Sequence, residues 1–335
     1  MTGITSRLRL MVAALIVITA GGVVRADGPL LTRRADGLID MRLPAAGLLV
    51  RYTLDGSEPG RDSGVWLAPV EVPAGYVLKA RAFAVDGIPS GELATYETPL
   101  DPGSLRRLSS LVPVTQNRDW RTYDWVERHA AATALMRQRP EIVMLGDSIT
   151  HFWGGDPPGG PRNGAAEWDR LFAGRRVVNL GYGWDRTENV LWRLTHGEFD
   201  AVAPRLVVVM IGTNNVGINT PQEIAAGIGA ICATIHGRSP STRIVLLGIF
   251  PRGERPNAAR DTVVEVNRLI AGLDGRDGIT YLDIGSRLVA ADGTISKEVM
   301  SDFLHPTARG YAMWAAAMTP ALERLLAPQS APARE

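Results

Sequence analysis

Five short apolar runs recur through the C-terminal part of this 335-residue chain: "IVML" at 142–145, "VVNL" at 177–180, "LVVVMI" at 206–211, "IVLLGIF" at 244–250 and "ITYLDI" at 279–284. None alternates polar and apolar residues. Continuous β-branched runs suit strands buried on both faces, the condition of a parallel sheet covered by helices. Helical stretches lie between them. "TPQE" supplies Thr220 as N-cap, Pro221 at the first position and Glu223 to close a capping box. "DRTE" at 185–188 reads as another helix start, and "TYDWVERHAAATALMRQ" at 122–138 as the helix before the first strand. Strands alternating with helices predict an α/β fold, a three-layer α/β/α sandwich on a parallel sheet, over residues 121–327.

Residues 27–98 follow a different rhythm. In "YVLKARAFAVDG", Leu78, Ala80, Ala82 and Ala84 fall on one face, and Val77, Lys79, Arg81 and Phe83 on the other. A period of two predicts half-buried antiparallel strands, hence a small all-β sandwich domain. Residues 99–120, with Pro99, Pro102 and Gly103, read as a linker or wrapping segment. Two domains suit the length, since one core rarely grows to this size. Ahead of both, Arg7 and Arg9 precede the apolar run "LMVAALIVITAGGVV", and "VRA" ends in Ala26. Residues 1–26 therefore read as a secretory signal peptide, which predicts a secreted or periplasmic protein. The run is shorter than the ~20 residues a membrane span needs, and Gly21 and Gly22 break it. No stable membrane span is expected after cleavage. The tail at 328–335 is expected to be disordered.

A formal net charge of +1 gives no basis for a nucleic-acid footprint or a polybasic membrane patch. The single cysteine, Cys232, excludes an intramolecular disulfide. Its neighbours Ile228, Ile231 and Ile235 predict a buried structural thiol.

In open parallel sheets, function gathers at the carboxyl ends of the strands. After the first run comes Gly146-Asp147-Ser148, after the second "NLGYGWD" with Gly181, after the third "GTNN" with Asn214, and beyond the fifth "SDFLHP" with Asp302 and His305. Gly-Asp-Ser alone is ordinary turn chemistry. With the other blocks, Ser148 becomes a candidate nucleophile, since a hydroxyl needs a base to take its proton. His305 is the candidate base, because a near-neutral pKa suits proton transfer in both directions. Asp302, three residues earlier, can orient the imidazole if the segment turns. The Gly181 N–H, the Asn214 amide and the Ser148 N–H are candidate donors to an oxyanion.

These blocks resemble the SGNH, or GDSL-type, hydrolase superfamily, with Ser148, Gly181, Asn214 and His305 in its four blocks. "NLGYGWDRTENVLWRL", "IGTNN", "PRGERPN" and "DFLHPTARGY" are similar to the branch of the intracellular platelet-activating-factor acetylhydrolase catalytic subunits. The resemblance implies a flavodoxin-like sheet and a metal-independent esterase mechanism, with no cofactor and a small acyl group. The wider family often has Asp where this chain has Asn215, and the loop at 154–166 looks longer than that branch needs. In the β domain, "RYTLDGSEP" followed by "VLKARAF" resembles the sandwich modules of chitobiase-type glycosidases and other secreted carbohydrate enzymes. The expected role of that module is structural.

Other residues receive plainer readings. Asp147 is expected to hold the loop, and Asp283 is a weaker orienter candidate than Asp302. His129 is expected in a packing or polar network near Trp125, His196 and His236 in solvent near helix ends, and His151 at the border of the pocket. Trp153 and Trp184 are expected to pack in the core, and Arg252 to be a structural rim residue. No zinc-ligand spacing is evident. The expected function is that of an exported serine esterase removing acetyl groups from an O-acetylated carbohydrate. The alternatives are an esterase acting on lipid or lysophospholipid, and a carbohydrate-binding protein with an idle hydrolase domain.

Overall fold

The computed structural model describes residues 28–43 and 45–327. The expected signal peptide and tail lie outside the described residues. The chain divides into two compact units, at residue 106.

The first unit is built from two antiparallel sheets. β1 (Leu30–Arg33) pairs with β2 (Ile39–Arg42). The second sheet has the order β4-β3-β5-β6, formed by β3 (Leu48–Thr53), β4 (Gly64–Val65), β5 (Tyr76–Ala84) and β6 (Pro89–Thr98). β5 buries Leu78, Ala80 and Ala82 while Lys79 and Arg81 are half-exposed, the expected alternation. The pattern fails at Phe83, which is buried as well. The β5–β6 register shifts between Ala80 and Ala82, and the Arg51 guanidinium covers the Phe83 ring at 5.8 Å.

The second unit is a flavodoxin-like three-layer α/β/α sandwich. Its five parallel strands are β7 (Ile142–Gly146), β8 (Val177–Gly181), β9 (Leu206–Met210), β10 (Arg243–Leu247) and β11 (Ile279–Leu282), in the order β11-β10-β9-β7-β8. Every residue of β7 and β9 is buried, which is why these runs show no alternation. The helices are α1 (Trp125–Met136), α2 (Ser148–His151), α3 (Ala165–Leu171), α4 (Thr187–Thr195), α5 (Pro221–Arg238), α6 (Ala258–Ala271) and α7 (Ala308–Leu326). α3 and α7 pack together over the face carrying Met144, Val208 and Val245, whereas α4, α5 and α6 pack in series. The Thr220 capping box forms as expected: Glu223 N–H donates to Thr220 Oγ1 (3.3 Å) and Thr220 N–H to Glu223 Oε2 (2.9 Å). In "DRTE" the expectation shifts by one residue. Arg186 is the N-cap, its N–H donating to Asn189 Oδ1 (2.9 Å), while Asp185 turns inward. Cys232 is buried, and burial pushes its thiol up to about 12.

The chain leaves β7 for β8 on one side and then crosses to β9 on the other. The ends of these three strands are level, with Gly146 opposite both Gly181 and Met210. This is the switch point at which open α/β sheets place their ligands.

Residues 107–120 correct the linker expectation, because they belong to the second unit. Their polar groups bind the loops at the switch point. Thr187 Oγ1 donates to Ser110 O (3.0 Å), Ser110 Oγ to Glu223 O (2.7 Å) and Asn189 Nδ2 to Val114 O (2.8 Å).

Candidate active site

The end of β7 sets the serine. Asp147 Oδ1 accepts from Ile149 N–H (2.9 Å) and so caps α2, which begins at Ser148. α7 holds this turn from below. Tyr311 OH donates to Ile149 O (2.6 Å), and Trp153, fully buried, lies 4.3 Å from Trp314 and 5.3 Å from Tyr311 between ring centroids. Trp153 is therefore core, as expected. Asp147 holds the loop as expected, and complete burial raises its carboxyl to about 7.

The segment before α7 brings its acid and imidazole together by a tight turn. Phe303 stands at φ +60°, a left-handed conformation uncommon for a bulky residue. The turn lets Asp302 Oδ1 accept from the N–H groups of Leu304 (3.1 Å) and His305 (2.8 Å), while Asp302 Oδ2 lies 2.7 Å from His305 Nδ1. The other imidazole nitrogen, Nε2, lies 2.8 Å from Ser148 Oγ. Burial pushes the Asp302 carboxyl up, but its hydrogen bonds from His305 outweigh this and hold it below its ordinary value. Asp283 stands apart: its Oδ1 accepts from Gly285 N–H (2.8 Å).

The donor set differs from expectation at one position. The Gly181 N–H is not free, since it donates to Asn179 Oδ1 (2.8 Å). Gly181 is glycine for a different reason. A Cβ there would fall 2.2 Å from His151 N, so it permits α2 to lie on the end of β8. The free N–H is three residues on. Trp184 is at φ +63°, and its N–H makes no hydrogen bond among the described residues. Asn214, on a turn after β9, donates one amide hydrogen to Asp185 O (3.0 Å), beside Trp184, and keeps the other. The Ser148 N–H is likewise without a partner among the described residues. Trp184 is also not core: the residue is 51% exposed.

The turn at 182–185 is clamped from several sides. Arg118 Nη2 donates to Trp184 O (2.9 Å), Gln116 Nε2 to Gly183 O (3.0 Å) and Asp185 Oδ1 (2.9 Å), and Tyr123 OH to Gly183 O (2.9 Å). Gly183 N–H donates to His151 Nδ1 (3.2 Å). Burial and the Arg128 charge push His151 down to about 2, so it is neutral and free to accept there. Sequence reasoning placed His151 at the pocket border and missed Gln116 and Arg118, which sit in a stretch with no periodicity, and Tyr123, at the start of the stretch read as a helix.

Beneath the turn lies a buried ion network. Arg193, with no exposed surface, donates to Asp185 Oδ2 (2.8 Å), to Glu198 Oε2 and to Leu180 O (3.3 Å). Its guanidinium lies 3.8 Å from the Tyr182 ring centroid. Tyr182 OH and His129 Nδ1 complete Glu198 at 2.6 and 3.3 Å, so His129 is the network residue expected. Burial pushes Arg193 down, but the two carboxylates outweigh it and hold the guanidinium charged. The other two histidines depart from the solvated reading. His196 is half-buried and stacks on Trp192 at 4.1 Å, and His236 lies 4.0 Å from Asp277. Arg252 is a rim residue with a structural bond, its Nη1 donating to Thr213 O (2.9 Å) beside Asn214.

Asn215 shows why an amide replaces the more usual acid. Its Nδ2 donates to Glu188 Oε2 and Asn219 Oδ1, both at 3.0 Å, while its Oδ1 accepts from Thr187 N–H (3.1 Å). A carboxylate there would face two acceptors inside a buried cluster. Among the described residues, no group of three or more His, Cys, Asp or Glu is placed to hold a metal, and no helix is long and apolar enough to cross a membrane.

A serine, an imidazole and a carboxylate in one hydrogen-bonded line, at the switch point of this sheet, define the architecture of a carboxylic ester hydrolase. The chain belongs to the GDSL-like lipase/acylhydrolase family, whose profile matches residues 144–313. It is 37% identical over 205 residues to the platelet-activating factor acetylhydrolase IB subunit alpha1 of Homo sapiens, covering 61% of this chain and 84% of that one. It is also 37% identical over 190 residues to the alpha2 subunit of Rattus norvegicus, covering 56% and 79%. A GDSL-like lipase from Bacteroides thetaiotaomicron overlays 60% of this chain and 98% of its own with a TM-score of 0.47 at 19% identity. Residues 44–93 match a profile described as Fn3 associated.

Proposed function

We propose that this acylhydrolase is an exported acetylesterase of O-acetylated carbohydrate. In this reading Ser148 Oγ attacks the acyl carbonyl while His305 Nε2 takes its proton. Asp302 keeps Nδ1 protonated and stabilises the imidazolium. The oxyanion is received by the N–H groups of Ser148 and Trp184 and by the free amide hydrogen of Asn214. His305 returns its proton to the leaving alcohol, an acyl-serine remains, and a water activated by the same imidazole releases the acid. The observation that carries this mechanism is the hydrogen-bonded line from Asp302 through His305 to Ser148.

Removing one oxyanion donor typically costs 10²–10³ in rate. Asn214→Ala is accordingly expected to lower kcat by about 10²-fold with KM little changed, because the amide acts mainly as charge develops. Steady-state kinetics on 4-nitrophenyl acetate check this, and a loss under tenfold would remove Asn214 from the donor set.

The substrate class rests on three supports: the signal-like residues 1–26, an N-terminal module similar to those of secreted carbohydrate enzymes, and relatives named for an acetyl ester. Acetate release from acetylated xylan, pectin, xyloglucan and peptidoglycan tests it. Release from at least one polymer is expected. Silence on all of them with turnover of lipid acetyl esters would favour the second reading, which the platelet-activating factor acetylhydrolase relatives support.

A further inference from the structure

Asp119 has no role in the mechanism above, yet it stands at the site. It lies in the segment that clamps the 182–185 turn, half-buried, and a Cβ on Gly183 would fall 2.1 Å from Asp119 Oδ2. Only glycine at 183 allows this carboxylate so close to the turn. Burial holds the Asp119 carboxyl above its ordinary value, against a hydrogen bond from Thr122 and the nearby His305 charge, which pull it down. The carboxylate thus stands against the 182–185 turn, within electrostatic reach of the imidazole that hands a proton to the leaving alcohol.

Its donors do not match its capacity. An ionised carboxylate offers about four acceptor sites, and the Thr122 side chain is the donor the fold supplies. The nearby backbone donor is spent elsewhere, Gly183 N–H on His151 Nδ1, and so is the nearby hydroxyl, Tyr123 OH on Gly183 O. Among the described residues no Arg or Lys acts on it; the positive charge near it is that of the His305 imidazole. A half-desolvated carboxylate with a single donor is unfavourable unless something else brings donors to it. The group next to His305 during the reaction is the alcohol half of the ester.

We propose that Asp119 reads the alcohol side of the substrate, accepting hydrogen bonds from free hydroxyls next to the scissile ester and so selecting esters of polyols. This deepens the carbohydrate reading and rests on the esterase assignment. The exposed Trp184 follows Gly183 directly in the same turn.

The test compares wild type, Asp119→Ala and Asp119→Asn on four acetate esters: 4-nitrophenyl acetate, monoacetylated methyl β-xyloside, glycerol monoacetate and acetylcholine. A hydrogen bond to a charged group is worth about ten- to hundredfold in binding. Asp119→Ala is expected to lose that much more kcat/KM on the two hydroxylated esters than on 4-nitrophenyl acetate, mostly through KM. Asp119→Asn, which keeps one acceptor oxygen, should recover part of the loss. Equal losses on all esters would overturn the proposal and make Asp119 a prop for the turn. No loss on any ester would overturn it too. A loss concentrated on acetylcholine would overturn it in favour of a cation-reading carboxylate. Wild-type activity on glycerol monoacetate with none on the xyloside would refute the carbohydrate reading while leaving the hydroxyl reading to be judged on the glycerol ester.

Discussion

Ser148→Ala is expected to lower kcat/KM for 4-nitrophenyl acetate by ~10⁴-fold or more, with the melting temperature nearly unchanged. The serine hydroxyl lies 2.8 Å from His305 Nε2, and its loss removes the nucleophile while leaving a methyl in the same turn. His305→Ala should cost about as much, and the double variant little more than either, because residues that act as a unit are non-additive. Asp302→Asn separates the acid from the pair. In a buried triad that change costs ~10⁴ through the wrong imidazole tautomer. Here the Asp302 side chain is 53% exposed, so water can solvate the imidazolium and the loss should be smaller. Burst kinetics with the nitrophenyl ester check both points. A Ser148→Ala enzyme within a hundredfold of wild type would move the nucleophile elsewhere.

Arg193→Met is expected to destabilise the protein by about 3–5 kcal/mol, the usual cost of removing one partner from a buried ionic group. Asp185 and Glu198, both fully buried, would be left facing an apolar chain. For a unit of this size 1 kcal/mol shifts the melting temperature by about 2–4 °C, so a fall of roughly 10 °C is expected in thermal unfolding. Arg193→Lys should recover only part, since a lysine cannot reproduce two directed contacts and a stack on Tyr182. Asp185 adjoins Trp184, so folded Arg193→Met should also lose rate. A shift under 3 °C would mean that the cluster is solvated in the folded protein.

The sheet was legible because strands buried on both faces leave unbroken apolar runs, and the triad because Ser148, Asp302 and His305 carry their chemistry in their side chains. The turn proposed to receive the oxyanion was not. Every residue has a backbone N–H, so a donor of that kind leaves no mark in composition. Glycine suggested Gly181, but the residue with the open N–H is a tryptophan in a conformation that few tryptophans adopt. Asp185 read as part of a helix start because Asp-x-x-Glu has that pattern, yet Arg193, in the helix that follows it, draws it inward. Residues 107–120 read as part of a linker or wrapping segment because nothing in Gln116 or Arg118 is periodic. Their partners lie more than 60 residues away in sequence, at Gly183, Trp184 and Asp185.

The acid and the base sit three residues apart on one turn, while the serine they serve is 157 residues upstream of His305. That spacing divides the chain into places where length can change and places where it cannot. One residue added between Asp302 and His305 would break the turn itself. Between the strands, extra chain can leave and return at the same sheet edge, as the 154–166 loop does by anchoring Asn163 to Phe152 and Pro306. New substrate-facing surface can therefore grow by insertion within this architecture without re-inventing the reaction it surrounds.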